Sequence, residues 1–176
     1  MFILLLNTDD LAAMDNEALI KLCFQPLITR YKEQSAQDGN IALLFESFEH
    51  GEKALFAVWT FLTHAIRGTD EFHWRCLLFL HIPARFTGMQ AGLRMFGDAA
   101  MSALLDDIHA ATAHLPHRGE HAITMNEAQS IYNSNCMYAA SILALEARLV
   151  QAMPETIRLI AAYIRGQVSE FSALRL

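Results

Sequence analysis

Apolar residues recur at spacings of three and four along nearly the whole chain, and strict alternation is scarce, so the pattern predicts helices throughout. Asp15 or Asn16 caps a first helix running to about Gln34, with Leu19, Leu22, Cys23, Leu27 and Tyr31 on its apolar stripe. Pro26 lies inside that stretch and predicts a kink or a split, because proline removes a helical hydrogen bond. Residues 37–40, Gln-Asp-Gly-Asn, read as a turn before a short helix over Ile41 to Phe48. A strong helix follows from about Glu52 to Ile66, with Leu55, Phe56, Trp59, Leu62 and Ile66 on one side.

Gly68 falls where a left-handed cap belongs, and Thr69 or Asp70 can open a helix to His81 that Pro83 ends. Further helices are expected over Phe86 to Phe96 and from Ala99 to about His114, the latter capped by Asp98 with Met101, Leu104, Leu105 and Ile108 inward. Thr124-Met125-Asn126-Glu127 has the capping-box pattern and opens a long helix through Leu149. Pro154 suits the first turn of a last helix carrying Ile157, Ile160, Ala161 and Ile164. With no repeat, linker or low-complexity tract, residues 1–176 read as one all-α domain, a bundle of seven or eight helices with 1–14 as an irregular amino-terminal segment.

Composition sharpens this. Hydrophobic residues make up 53% and charged residues 18% of the chain, against about a quarter charged in ordinary globular domains. The apolar excess goes either to a large core or to a self-association face. The net charge of −6 is concentrated: residues 1–52 hold nine carboxylates against three bases, and the remainder balances. No basic stripe is present, which argues against direct nucleic-acid binding. The acidic third suggests a protein partner of basic character, with Asp9, Asp10, Asp15, Glu17, Glu46, Glu49 and Glu52 as candidate contacts. Reversing Glu46, Glu49 and Glu52 to Lys would then abolish capture without unfolding the protein.

Candidate chemistry is thin. Cys23, Cys76 and Cys136 are far apart, form neither a disulfide framework nor a zinc spacing, and read as buried free thiols. Residues 1–6 are apolar but too short for a span and lack a basic leader, so a cytoplasmic protein with no membrane contact is expected. His109, His114, His117, Glu120 and His121 cluster in sequence, but only His117 and His121 are one helical turn apart. They are the candidate metal ligands of an alternative metal- or small-molecule-binding reading. His73 precedes Cys76 by one turn, the spacing of a base and nucleophile, although a thiol beside Trp74 and Leu77 would ionise poorly. Asp106-Asp107 and Asp9-Asp10 are adjacent pairs that cannot share a helix face. Neither a phosphate loop nor a nucleophile elbow is present, and no cofactor is expected. In Phe72-His73-Trp74-Arg75 four bulky groups cannot all face inward, which makes Trp74 and Arg75 candidate interface anchors.

Three stretches carry a family resemblance: residues 51–59 (GEKALFAVW), residues 91–101 (AGLRMFGDAAM), and Leu145 to Arg165 with its ending AAYIR. Their order resembles a bacterial all-helical family of unknown function that includes a dimeric DNA-mimic protein. The likeness runs from about Asp15 to Arg165. The family's central Asn-Asn-Gly-Gly-Phe turn and Gln-Phe helix correspond here to residues 66–74, IRGTDEFHW, which keep only a glycine and Phe72. The resemblance implies an all-α fold, a homodimer, no enzymatic activity, and carboxylates occupying the DNA-binding face of a basic regulator. Toxin-immunity proteins offer a second such role, plugging a toxin through surface shape.

Overall fold

The computed structural model describes residues 8–115 and 123–174. Among these are nine α-helices and no strand: α1 Thr8–Ala13, α2 Asn16–Ala36, α3 Ile41–Glu46, α4 His50–Ala65, α5 Thr69–His81, α6 Pro83–Met95, α7 Ala99–Thr112, α8 Met125–Ser134 and α9 Cys136–Gly166. Two 3-10 turns, Val168–Glu170 and Ser172–Leu174, close the described chain. The all-α class expected from periodicity is therefore correct. The helix count exceeds seven or eight, and residues 8–13 of the expected irregular segment are helical.

Local chemistry explains most boundaries. Asp15 caps α2 by accepting from the Glu17 and Ala18 amides. Asp98 caps α7 through the Met101 amide at 2.9 Å, and Thr124 and Glu127 form the capping box of α8. Gly68 has φ 125°, a backbone that L side chains rarely adopt, and lets the chain turn between α4 and α5.

The prolines behave otherwise than expected. Pro26 sits inside one continuous α2, and Pro154 sits inside α9 rather than opening a helix. Both are exposed, so the carbonyl one turn earlier loses its amide donor on a side that water can reach. Burial of Leu19, Ile20, Cys23 and Leu27 holds α2 together around Pro26. The break falls instead at Asn135, whose Oδ1 accepts from the Met137 and Tyr138 amides and starts α9 afresh. Pro83 is the first residue of α6, so α5 and α6 meet at Ile82.

The core sits around α4, which packs on α2, α5 and α6, while α9 spans α2 and α7. Leu55, Phe61, Leu62, Phe72, Leu93, Met101 and Ile160 lie in it. Gly92 lets α6 and α4 approach closely: a Cβ there would lie 2.9 Å from Val58 Cγ2 and 3.1 Å from the Ala54 carbonyl.

Two polar clamps join distant parts of the chain. Arg165 near the end of α9 donates to the Leu11 and Met14 carbonyls and to Asn16 Oδ1, at 3.0, 2.6 and 2.8 Å, which fixes the α1–α2 corner. Buried Asp98 also accepts from Thr156 Oγ1 at 2.6 Å, tying the start of α7 to α9.

Candidate interaction surface

The seven acidic candidates do not form one face. Asp9, Asp10, Asp15 and Glu17 are exposed around the α1–α2 corner that Arg165 holds. Glu46 and Glu49 are exposed at the α3–α4 corner. Arg30 donates to Ser47 Oγ, and Glu17 and Arg30 are thirteen residues apart on α2, so the two groups lie about 20 Å from each other along that helix. Several also have structural duties. Asp15 is a cap, Glu17 pairs with Lys21 at 3.0 Å, Glu46 lies 3.7 Å from Lys53, and Glu49 belongs to the capping box of α4.

Glu52 corrects the sequence reading outright. It is 2% exposed. Its Oε2 accepts from the Glu49 amide at 3.1 Å, and its Oε1 from the Ser172 amide at 2.7 Å and the Ser172 hydroxyl at 2.5 Å. Glu52 therefore clamps the carboxy-terminal turns onto α4 and offers nothing to a partner. Charge alone could not reveal this, because the two Ser172 donors come from 120 residues downstream.

Trp74 and Arg75 are also occupied within the chain. The Trp74 indole N–H donates to the Ile123 carbonyl at 2.8 Å, and the Arg75 guanidinium lies over the Trp74 ring at 4.5 Å. Arg75 Nε pairs with Glu71 at 3.3 Å, and Nη2 donates to His64 Nδ1 at 2.9 Å. Burial, reinforced by the charges of Arg75 and Arg67, holds the His64 imidazole below its ordinary pKa. Phe72 and His73 are buried, while Trp74 and Arg75 are half-buried, the former against the segment before α8 and the latter against α4 and its own helix.

The proposed nucleophile pair is not assembled. His73 Nε2 is hydrogen-bonded to Tyr138 Oη at 2.9 Å, and burial pushes its pKa down to about 4. Burial pushes the Cys76 thiol far above its ordinary range and raises Cys23 to about 12. Cys136, expected to be buried, is exposed on the first turn of α9. The metal candidates His117 and His121 lie outside the described residues. His109 packs against Phe86, and His114 against Tyr138. Among the described residues no group of three or more His, Cys, Asp or Glu could hold a metal ion. Asp106 and Asp107 diverge as expected, one to Gln90 and the other to Arg148.

The surface feature that sequence reading missed is on α9. Tyr138, Ile142, Leu145 and Leu149, spaced four, three and four, are buried and face the bundle. Shifted by two residues, and so on the opposite side of the helix, run Cys136, Ala140, Leu143, Ala147, Val150 and Pro154, with the same rhythm. All six are exposed, Leu143 at 49% and Val150 at 56%, and Met137 beside them at 76%. By length and composition α9 is also the one described helix apolar enough to cross a membrane, yet only 28% of its most apolar window is buried. The signal was present in sequence: from 136 to 154 only Glu146 and Arg148 are charged. A helix apolar all round reads as core by default, which hid the outer stripe.

Comparison of the chain with protein-family models, with curated proteins and with solved structures finds no match.

Proposed function

We propose that this protein acts by binding other protein chains. The observation that carries this reading is the outer face of α9, an apolar stripe held in the open by a helix whose opposite side is anchored in the core. Soluble chains keep contiguous exposed apolar surface small unless something covers it. The backbone is already folded into a helix, so little ordering entropy opposes its docking.

The exposed carboxylates of the α1–α2 corner supply a second contact, suited to a basic protein. A DNA-binding regulator or a basic toxin has that chemistry, in keeping with the DNA-mimic and toxin-immunity readings of the sequence. Glu46 and Glu49 would belong to the same contact only for a partner spanning about 20 Å of α2.

Affinity capture from a native cell lysate tests the reading with three baits: the wild type, Leu143→Glu with Val150→Glu, and Asp9→Lys with Asp10→Lys and Glu17→Lys. A specific protein retained by the wild type and lost from either variant supports it. The acidic contact should also weaken from 50 mM to 500 mM salt, as screening shortens its reach. Equal retention by all three baits, or none by any, would end it.

A further inference from the structure

We infer that the outer face of α9 is a two-fold interface that takes a second copy of this chain with the two α9 helices antiparallel. The inference rests on the reading of α9 as a binding face and names its occupant.

The stripe fits its own reverse. When one α9 is laid antiparallel on another about residue 145, Cys136 faces Pro154, Ala140 faces Val150, and Leu143 faces Ala147. Each larger side chain then meets a smaller one, so the two rows interdigitate as knobs entering holes. A parallel arrangement would set Leu143 on Leu143 and Val150 on Val150, with voids where Ala140 meets Ala140 and Ala147 meets Ala147. An isologous contact needs this self-complementarity, because the same patch serves both copies.

Charge points the same way. Two copies of a chain of net charge −6 repel, so they associate best through a face without like charges. None of the six stripe residues is charged. Glu146, beside the stripe, is hydrogen-bonded to Thr69 Oγ1 of its own chain, and Arg148 is paired with Asp107.

The size is sufficient. Eighteen residue steps from Cys136 to Pro154 span about 27 Å, and half the girth of a solvated helix adds about 20 Å of width, so about 540 Å² per copy. The pair would bury about 1,100 Å², above the roughly 1,000 Å² at which specific interfaces begin. One copy alone would carry a patch at the upper end of what monomers expose, roughly 300–600 Å².

The test combines light scattering with disulfide trapping. The wild type should show twice the chain mass at micromolar concentration. Leu143→Glu should raise the dissociation constant by about 100-fold or more, since it would bury an unpaired carboxylate, while leaving the circular dichroism spectrum unchanged because Leu143 is half exposed within its own chain. Under mild oxidation Pro154→Cys should give a covalent dimer through Cys136 and the new thiol of the other copy. The wild type should not, because in this arrangement its two Cys136 residues lie about 27 Å apart, beyond disulfide reach. A wild-type disulfide through Cys136 would overturn the antiparallel arrangement. A monomer at every concentration would overturn the dimer. If that monomer binds neutral phosphatidylcholine vesicles, the occupant is a lipid surface. If removing residues 1–7 makes it dimerise, the occupant is its own amino terminus. A monomer whose lysate capture still depends on Leu143 would sink the second copy as occupant and spare the binding reading.

Discussion

Replacing Glu52 by alanine removes one buried carboxylate that accepts from three donors, the Glu49 amide and the amide and hydroxyl of Ser172. A hydrogen bond to a charged acceptor contributes about 1.5–3 kcal/mol, and a donor left unsatisfied costs about 1–3 kcal/mol. Ser172 is exposed, so water recovers part of its loss. A net destabilisation of about 3 kcal/mol is expected, which for a domain of this size lowers the melting temperature by about 9 °C. The carboxy-terminal turns would also lose their hold on α4, and residues 168–174 should become the first site of proteolytic nicking. Urea unfolding followed by circular dichroism measures the energy, and limited proteolysis with mass spectrometry locates the opening. Glu52→Ala and Ser172→Ala should be non-additive in a double-mutant cycle, because both remove the bond from the Ser172 hydroxyl to Glu52. A loss below about 0.5 kcal/mol, typical of a surface substitution, or full additivity would refute the clamp. Reversing Glu46, Glu49 and Glu52 together is therefore unsuitable as a binding test, since Glu52→Lys would bury an unpaired ammonium and unfold the chain.

Acid should destabilise the fold through His73. Its imidazole is held down to about 4 in the folded chain and titrates near 6.5 when unfolded. The unfolded state thus takes up the proton first, so this contribution is complete above about pH 6.5, declines below it, and is lost by about pH 4, roughly 3 kcal/mol in all. Thermal melts from pH 7 to pH 4 should fall more steeply for the wild type than for His73→Phe, and equal slopes would refute the assignment. Gly92→Ala should cost about 1–2 kcal/mol, since its Cβ would press on Val58 and the Ala54 backbone. Gly88→Ala on the same helix should instead add up to about 1 kcal/mol, because the nearest atom to its Cβ is 3.9 Å away. Chemical denaturation of the two variants side by side checks the opposite signs.

Most helix starts could be read from the sequence because capping is local chemistry. Asp15, Asp98 and Thr124 bond to amides two or three residues ahead, so spacing alone locates them. The prolines misled for the complementary reason: whether Pro26 or Pro154 breaks a helix depends on which side faces water, and that is set by packing. Glu52, Trp74 and Arg165 find partners 49 to 154 residues away in the chain, beyond any periodic pattern. Spacing places Ile66 on the inward side, but it is 48% exposed, one residue past the end of α4. The candidate surface was half legible. The apolar excess pointed to either a large core or an association face, and the fold shows a core together with an exposed apolar stripe on the outer side of α9.

We infer that this protein works first by pairing two copies through the outer face of α9. Sedimentation equilibrium of the wild type and Leu143→Glu, at several loading concentrations in one buffer, tests it most directly. The wild type should be a reversible dimer and the variant a folded monomer. Identical masses for the two proteins, both monomeric or both dimeric, would contradict it.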